Sequence, residues 1–265
     1  MSRFRHVLVL VCSFSLISVS SPAQQSSPPA ISALALLQQS LAAQVGNTQI
    51  SDVTLTGTAR RIAGSDDESG TVTLKVLSSG ATRLDFNFPS GPRSEFKSFV
   101  SNAPTGGWSG PYGVIHSIAD HNLVNDWGWF PVFTIAASTN VQSSILTLIG
   151  SETRNNESVI HIAASQQFPA LSSDVAALTQ HLSQIDIFLD ATTLFPASIA
   201  YNIHPDNNAL LDIPVELRFS DYRAVNGAQI PFHIQKFINS TLALDLQFQN
   251  AALNTGITAA QVGAQ

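Results

Sequence analysis

Hydrophobic side chains recur at helical spacing early in the chain and at strand spacing through most of the rest. Ile31, Leu34, Leu37, Leu41 and Val45 fall three and four residues apart, and Gly46 closes the run. Ser27-Pro28-Pro29 ahead of them supplies a capping hydroxyl and a helix-compatible proline, so the spacing predicts one amphipathic helix. From Val53 the period becomes two. Val53, Leu55 and Gly57 alternate with Thr54, Thr56 and Thr58, and further strands are predicted at Thr71–Leu77, Arg83–Phe88 and Arg93–Val100. The connections Ser65-Asp66-Asp67-Glu68-Ser69-Gly70, Ser78-Ser79-Gly80 and Ser90-Gly91-Pro92 have turn composition, and strands joined so tightly must be antiparallel.

The alternation is cleanest in the C-terminal half. Leu211, Ile213, Val215, Leu217 and Phe219 alternate with Asp212, Pro214, Glu216, Arg218 and Ser220, which gives a strand one dry face and one wet face. Asn226-Gly227 fits a type I′ hairpin turn, and Ile230, Phe232 and Ile234 continue the dry face on the return strand. A last strand sets Leu242, Leu244, Leu246 and Phe248 against Ala243, Asp245, Gln247 and Gln249. Upstream, Ile185, Ile187 and Leu189 and then Phe195, Ala197, Ile199, Tyr201 and Ile203 form another hairpin, with two more strands at Ser144–Ser151 and Ser158–Ala164. About ten strands in hairpin order are too many to stay flat without curling.

Two segments interrupt this meander. Ser101 to Asn140 holds Trp108, Trp127 and Trp129, with a short helical pattern near Ser117–Asp126, and is far longer than a hairpin loop. Its tryptophans fit either a lid over an apolar cavity or a core beneath a long loop. Ser172 or Ser173 caps a second short helix through Val175, Leu178 and Leu182. Both insertions are candidates for covering one face of the sheet. No internal repeat or linker divides residues 24–265, so one domain is expected there.

Composition narrows the setting. Arg3 and Arg5 precede an apolar run from Val7 to Val19, and Ser21-Pro22-Ala23 follows with small residues, the pattern of a secretory signal peptide cleaved after Ala23. The run is shorter than the roughly 20 apolar residues that span a bilayer. Cys12, the only cysteine, lies inside it, so the mature chain is expected to form no disulfide or thiolate metal site. Charged residues are only 11%, with 12 Lys and Arg against 18 Asp and Glu. No basic footprint for nucleic acid is present, and no basic run for anionic lipid.

Candidate chemistry is sparse. His116 and His121 are five apart, which does not place two rings on one helical face, and no HExxH or Cys/His framework exists, so neither metal nor cofactor is expected. His161, His204 and His233 occupy polar-face positions and read as solvent-facing or edge-paired. Ser220, Asp221 and His233 could be assembled into a triad, but no G-x-S-x-G elbow supports one. Asp66, Asp67 and Glu68 read as a solvated turn tip. Of Arg60 and Arg61, one must point to each face of its strand, the inward one pairing with a carboxylate or a ligand headgroup or, more commonly, snorkelling at the edge. Asn156 and Asn239 head N-x-[ST] stretches that matter only in a eukaryotic secretory pathway.

A run in the C-terminal third carries a family resemblance. Ile213-Pro214-Val215-Glu216-Leu217-Arg218-Phe219-Ser220-Asp221-Tyr222-Arg223, then Val225-Asn226-Gly227, Ile230-Pro231-Phe232 and Asn254, together with the leader, the helix and the long meander, resembles the periplasmic lipoprotein carriers and their uncharacterised secreted bacterial relatives. The resemblance implies an α+β fold: a strongly curved antiparallel sheet, a half-barrel, with helices plugging its concave face. It carries over no catalytic residue, and the motif itself is structural. Tyr222 packs at a sheet corner, Gly227 meets a positive φ and Pro231 caps a strand at its edge.

A curled sheet must bury its apolar face under helices or under a guest. The leading expectation is therefore a non-enzymatic periplasmic or secreted monomer that binds a hydrophobic small molecule or a lipoprotein acyl chain. Phe86, Phe88, Trp127, Trp129, Ile213, Val215, Leu217, Phe219, Phe232, Ile234, Leu244 and Leu246 are the residues expected to line the cavity. The alternative is an envelope module with a self-filled core that binds a protein or polysaccharide. A hydrolase comes third.

Overall fold

A computed structural model describes residues 32–101, 103–125, 128–167 and 172–263. The signal peptide expected over residues 1–23, the helix start at Ser27-Pro28-Pro29 and Trp127 lie outside the described residues. Described are helices α1 (Ala33–Val45), α2 (Pro131–Ser138) and α3 (Ser173–Leu182). The first block of strands is β1 (Asp52–Ala63), β2 (Asp66–Leu77), β3 (Thr82–Phe88), β4 (Gly91–Val100), β5 (Ala103–Ser109) and β6 (Ile115–Ser117). The second is β7 (Ser144–Arg154), β8 (Glu157–Gln166), β9 (Ile185–Asp190), β10 (Pro196–Ile203), β11 (Ile213–Val225), β12 (Ala228–Ile238) and β13 (Thr241–Leu253).

All these strands form one sheet in the order β6-β5-β4-β3-β2-β1-β13-β12-β11-β10-β9-β8-β7. Each block is a meander, and the two are stitched by antiparallel pairing of β1 with β13. The end strands β6 and β7 do not pair with each other, so the barrel stays open. Thirteen strands replace the expected ten or so because β5 and β6 lie inside the tryptophan-bearing insertion. There Gly106 and Gly107 interrupt the apolar alternation by which a strand is recognised.

Curvature is built into the backbone. The ladder between β1 and β13 slips at Thr56/Gly57, and that between β12 and β13 slips at Lys236/Phe237. Such bulges bend a strand and raise its twist. A Cβ on Gly57 would stand 2.1 Å from the Gln247 carbonyl oxygen, so only glycine permits this approach. β4 and β12 are five places apart along the sheet, about 24 Å if it were flat. Yet Lys236 Nζ lies 3.7 Å from Glu95 Oε1 across the hollow.

The concave face is filled from two sources. α1, capped by the Ser32 hydroxyl accepting from the Ala35 amide, buries Leu36, Leu37, Ser40 and Gln44. The stripe is thus rotated from that read by spacing, leaving Leu34, Leu41 and Val45 half-buried. Trp129, Phe130 and α2, with Val132, Phe133 and Ile135 buried, supply the rest. α2 presents apolar residues on almost every side and so has no amphipathic period to read. The helix expected near Ser117–Asp126 is one turn of 3-10 helix at Asp120–Asn122. α3 forms where expected but leaves Val175 and Leu178 exposed, so it does not cover the hollow.

One turn is misplaced by composition. Residues 66–70 belong to β2, and the hairpin turns at Gly64 and Ser65 instead. Asp66, Asp67 and Glu68 are drawn into the ladder because Arg60 and Arg61 face them across it. Arg60 donates to both Asp67 oxygens at 2.8 and 2.6 Å, and Arg61 donates to Glu68 at 3.3 Å. The cluster stands beside the hairpin turn with Asp66 and Asp67 still exposed, held there in cross-strand ion pairs.

Candidate functional site

Most of the expected lining residues are brought onto one surface, the concave face. Val215, Leu217, Ile234, Leu246 and Trp129 are fully buried in the main core, joined by Phe219 and Phe232. These deep positions are packed against the protein's own side chains. Phe86, Phe88 and Leu244 instead reach a half-open cleft of about 330 Å³ at one end of the hollow. Ile213 is half-buried at the start of β11 and does not join that cleft.

Strands from both blocks of the sheet build the cleft. Phe86 and Phe88 from β3, stacked at 5.4 Å, meet Ile238 of β12 and Leu244 of β13, with Trp108 of β5 also on the wall. Trp108 is 46% exposed and lies on the His116 ring at 4.3 Å. Trp108 and Trp129 therefore do not act as one feature: Trp108 lines a mouth, whereas Trp129 is core. Trp108 pairs with Glu95 in the register between β4 and β5, which sets it on the face that β3 gives to Leu84 and Phe86.

A polar rim surrounds this wall. Arg61 and Arg93 approach Glu68 at 3.3 and 3.5 Å, and Lys236 approaches Glu95. The hydroxyl and amide of Ser90 and the two guanidinium groups hold the Glu68 carboxyl below its ordinary range despite partial desolvation. Arg61 and Arg93 share Glu68 while Lys236 meets Glu95, so two carboxylates face three cations around the apolar wall.

The wet face carries three histidine clusters. Ser220 Oγ lies 3.0 Å from His233 Nδ1, and His233 Nε2 lies 2.7 Å from Asp245 Oδ1. Asp221 takes no part, being paired to Arg223 at 2.5 Å. The ring is inverted relative to a hydrolase triad, in which serine meets Nε2 and aspartate Nδ1, and Ser220 is exposed on the open sheet surface. His161 Nε2 lies 2.9 Å from Asp186. His204, read as solvent-facing or edge-paired, is buried instead, because the chain after β10 turns it beneath the end of α3.

That third cluster joins His181 of α3 to His204 and Asp212. Both Nε2 atoms stand 3.0 Å from Asp212 Oδ1, and the three donor atoms lie within 4.8 Å of one another. Burial pushes the His204 imidazole below its ordinary pKa even though Asp212 favours the charged ring. His121 adds a third ring 5.9 Å from that of His204, whereas His116 lies elsewhere on Trp108. Spacing could not reveal this cluster, since its members come from a helix, a strand end and the loop before β11.

The structural part of the C-terminal motif is accounted for. The Tyr222 hydroxyl donates to the Pro196 carbonyl at 2.8 Å, and burial pushes that phenol well above its usual range. Asn226 and Gly227 both adopt positive φ in the turn between β11 and β12. Pro231 sits where the ladder from β12 to β13 has ended, at His233, so its missing N–H interrupts no bond there.

Such a sheet, open along one side and plugged by helices, is a half-barrel fold. No family model matches the sequence, and comparison with curated proteins finds no match. Solved structures do match in fold. A domain described as an outer membrane lipoprotein-sorting protein from Vibrio parahaemolyticus has TM-score 0.53 and 11% identity over 85% of this chain and 94% of that one. A LolA superfamily protein from Nitrosomonas europaea has TM-score 0.52 and 11% identity over 88% and 98%. A DUF1329 family protein from Desulfovibrio piger has TM-score 0.53 and 10% identity over 87% and 95%. The chain therefore shares its fold with the lipoprotein-sorting and LolA superfamily structures. Among the described residues, no helix is long and apolar enough to cross a membrane.

Proposed function

We propose that the protein is a non-enzymatic carrier, periplasmic or secreted, that holds an acyl chain in the cleft between Phe86, Phe88, Ile238 and Leu244. The observation that carries this reading is a half-open cleft walled by Phe86, Phe88, Ile238 and Leu244 beside an otherwise filled hollow. A volume of about 330 Å³ is near the lower end of ligand pockets, so the guest is a single chain or part of one. Each buried methylene contributes about 0.8 kcal/mol, so affinity should rise with chain length until the wall is covered. Fold likeness to a lipoprotein-sorting domain supports the same class of cargo.

Native mass spectrometry after gentle extraction, with titration of a fluorescent fatty acid, tests this. Binding should saturate at one chain per protein and weaken about tenfold in Leu244→Trp, which fills the wall. A wild-type protein that retains no lipid and takes up no acyl chain would overturn it. A second reading is favoured by the dense packing of Leu217, Ile234 and Leu246, whose side chains are fully buried. On that reading the core is self-filled and the outer face binds an envelope partner. Crosslinking in the native envelope, with no lipid in the purified protein, would select it.

A further inference from the structure

We propose that His181, His204 and Asp212 bind one divalent transition-metal ion of the zinc class on the outer face of the sheet. Three of the chain's seven histidines, His121, His181 and His204, gather around this one spot although they come from separate segments. Two imidazole nitrogens and a carboxylate oxygen form a nitrogen-and-oxygen donor set, which suits zinc, nickel, copper or cobalt better than the hard cations calcium and magnesium. A tetrahedral zinc ion with ligands about 2.0–2.2 Å away spaces its donors roughly 3.3 Å apart. Both Nε2 atoms already stand 3.0 Å from Asp212 Oδ1, and the widest donor spacing is no more than 4.8 Å. A small inward swing of His181 closes the set.

The fold supplies one fixed and one movable ligand. The His204 side chain is 1% exposed. Its backbone is clamped by Asn122, whose carboxamide accepts from the His204 amide and donates to its carbonyl, each at 2.8 Å. His181 is 39% exposed on the last turn of α3, where a ring can turn without disturbing the core. The neighbouring cleft of about 320 Å³ is lined by His181, Asp212 and Asp186, and by Glu216, which Arg154 and Arg218 already pair. Three protein ligands leave a coordination position for water or a guest donor. This cleft shares no lining residue with the acyl-chain cleft, so the two proposals stand or fall separately.

The test uses the mature, tag-free protein after treatment with chelator. Zinc chloride is titrated by calorimetry, and cobalt is followed by its visible absorption, which reports coordination by nitrogen and oxygen donors. One equivalent should bind, and His181→Ala and Asp212→Asn should each weaken binding at least about tenfold while circular dichroism stays that of the parent. His116→Ala, which alters the histidine stacked on Trp108, should leave metal affinity unchanged. His204→Ala is a poorer probe because it opens a buried space. Absence of saturable uptake by the parent, or uptake in His181→Ala and Asp212→Asn equal to the parent's, would overturn the assignment. Fatty-acid binding is measured on His181→Ala and Asp212→Asn and should not move.

Discussion

Replacing Asp52 by alanine should loosen the junction between the two halves of the sheet. Asp52 begins β1 and is 2% exposed. Its carboxylate accepts from the Thr255 amide at 2.8 Å, the Thr255 hydroxyl at 3.0 Å, the Gly256 amide at 3.1 Å and the Ser51 hydroxyl at 3.0 Å. Beside it, Asn254 accepts from the Ser51 amide at 2.7 Å and donates to the Gln49 carbonyl at 2.8 Å. Thr255 and Gly256 are exposed, so water can replace part of the lost acceptor, and the net loss should be about 2–3 kcal/mol rather than the full sum of four bonds. For a domain of this size that corresponds to a melting temperature lower by about 5–10 °C.

The same bonds fix the pH dependence. Burial alone would raise the Asp52 carboxyl, but the Thr255 and Gly256 amides and the Ser51 and Thr255 hydroxyls outweigh it and hold the group below its ordinary value. A depressed folded pKa contributes stability above the unfolded value of about 3.9, and that contribution is lost as pH falls through the folded value. Urea unfolding of the parent, Asp52→Asn and Asp52→Ala at neutral pH and below pH 4 measures both effects. Asp52→Asn keeps one oxygen acceptor and should lose about half as much. A neutral-pH difference under about 0.5 kcal/mol for Asp52→Ala, or a difference that does not shrink in acid, would refute the account.

Further substitutions test the curvature and the plug. Gly57→Ala should cost about 3 kcal/mol or more, or prevent folding, because the new Cβ would press on the Gln247 and Phe248 backbone, and thermal unfolding will read it. Leu37→Ala removes a fully buried side chain from α1 and should cost about 2–5 kcal/mol in denaturant titration while leaving the cleft lined by Phe86 and Leu244 intact.

The C-terminal half was legible because its alternation is nearly strict. Val215, Leu217 and Phe219 on β11 and Ile230, Phe232 and Ile234 on β12 all face inward as period two requires. Composition misled at residues 66–70, where acidic and small residues look like a turn until Arg60 and Arg61 oppose them across the ladder. α2 was missed because a helix buried on almost every side has no polar face to mark its period. The deep residues of β11, β12 and β13 share one core, but periodicity does not tell whether a hollow is filled by a guest or by Trp129 and Phe130. Register limited the polar clusters in the same way. Ser220 and His233 could be paired from sequence, but the carboxylate they meet is Asp245 on β13 rather than neighbouring Asp221.

The slipped ladder near the end of the second block has a consequence for how copies of the molecule meet. β7 is an outermost strand whose pairing with β8 shifts between Leu148 and Gly150, where Gly150 adopts φ 137°. Leu148 and Ile149 are exposed at that point, the kind of rim that recruits a foreign strand. A kink there breaks the row of free amides and carbonyls into two short stretches, which works against fibril-like growth from this border.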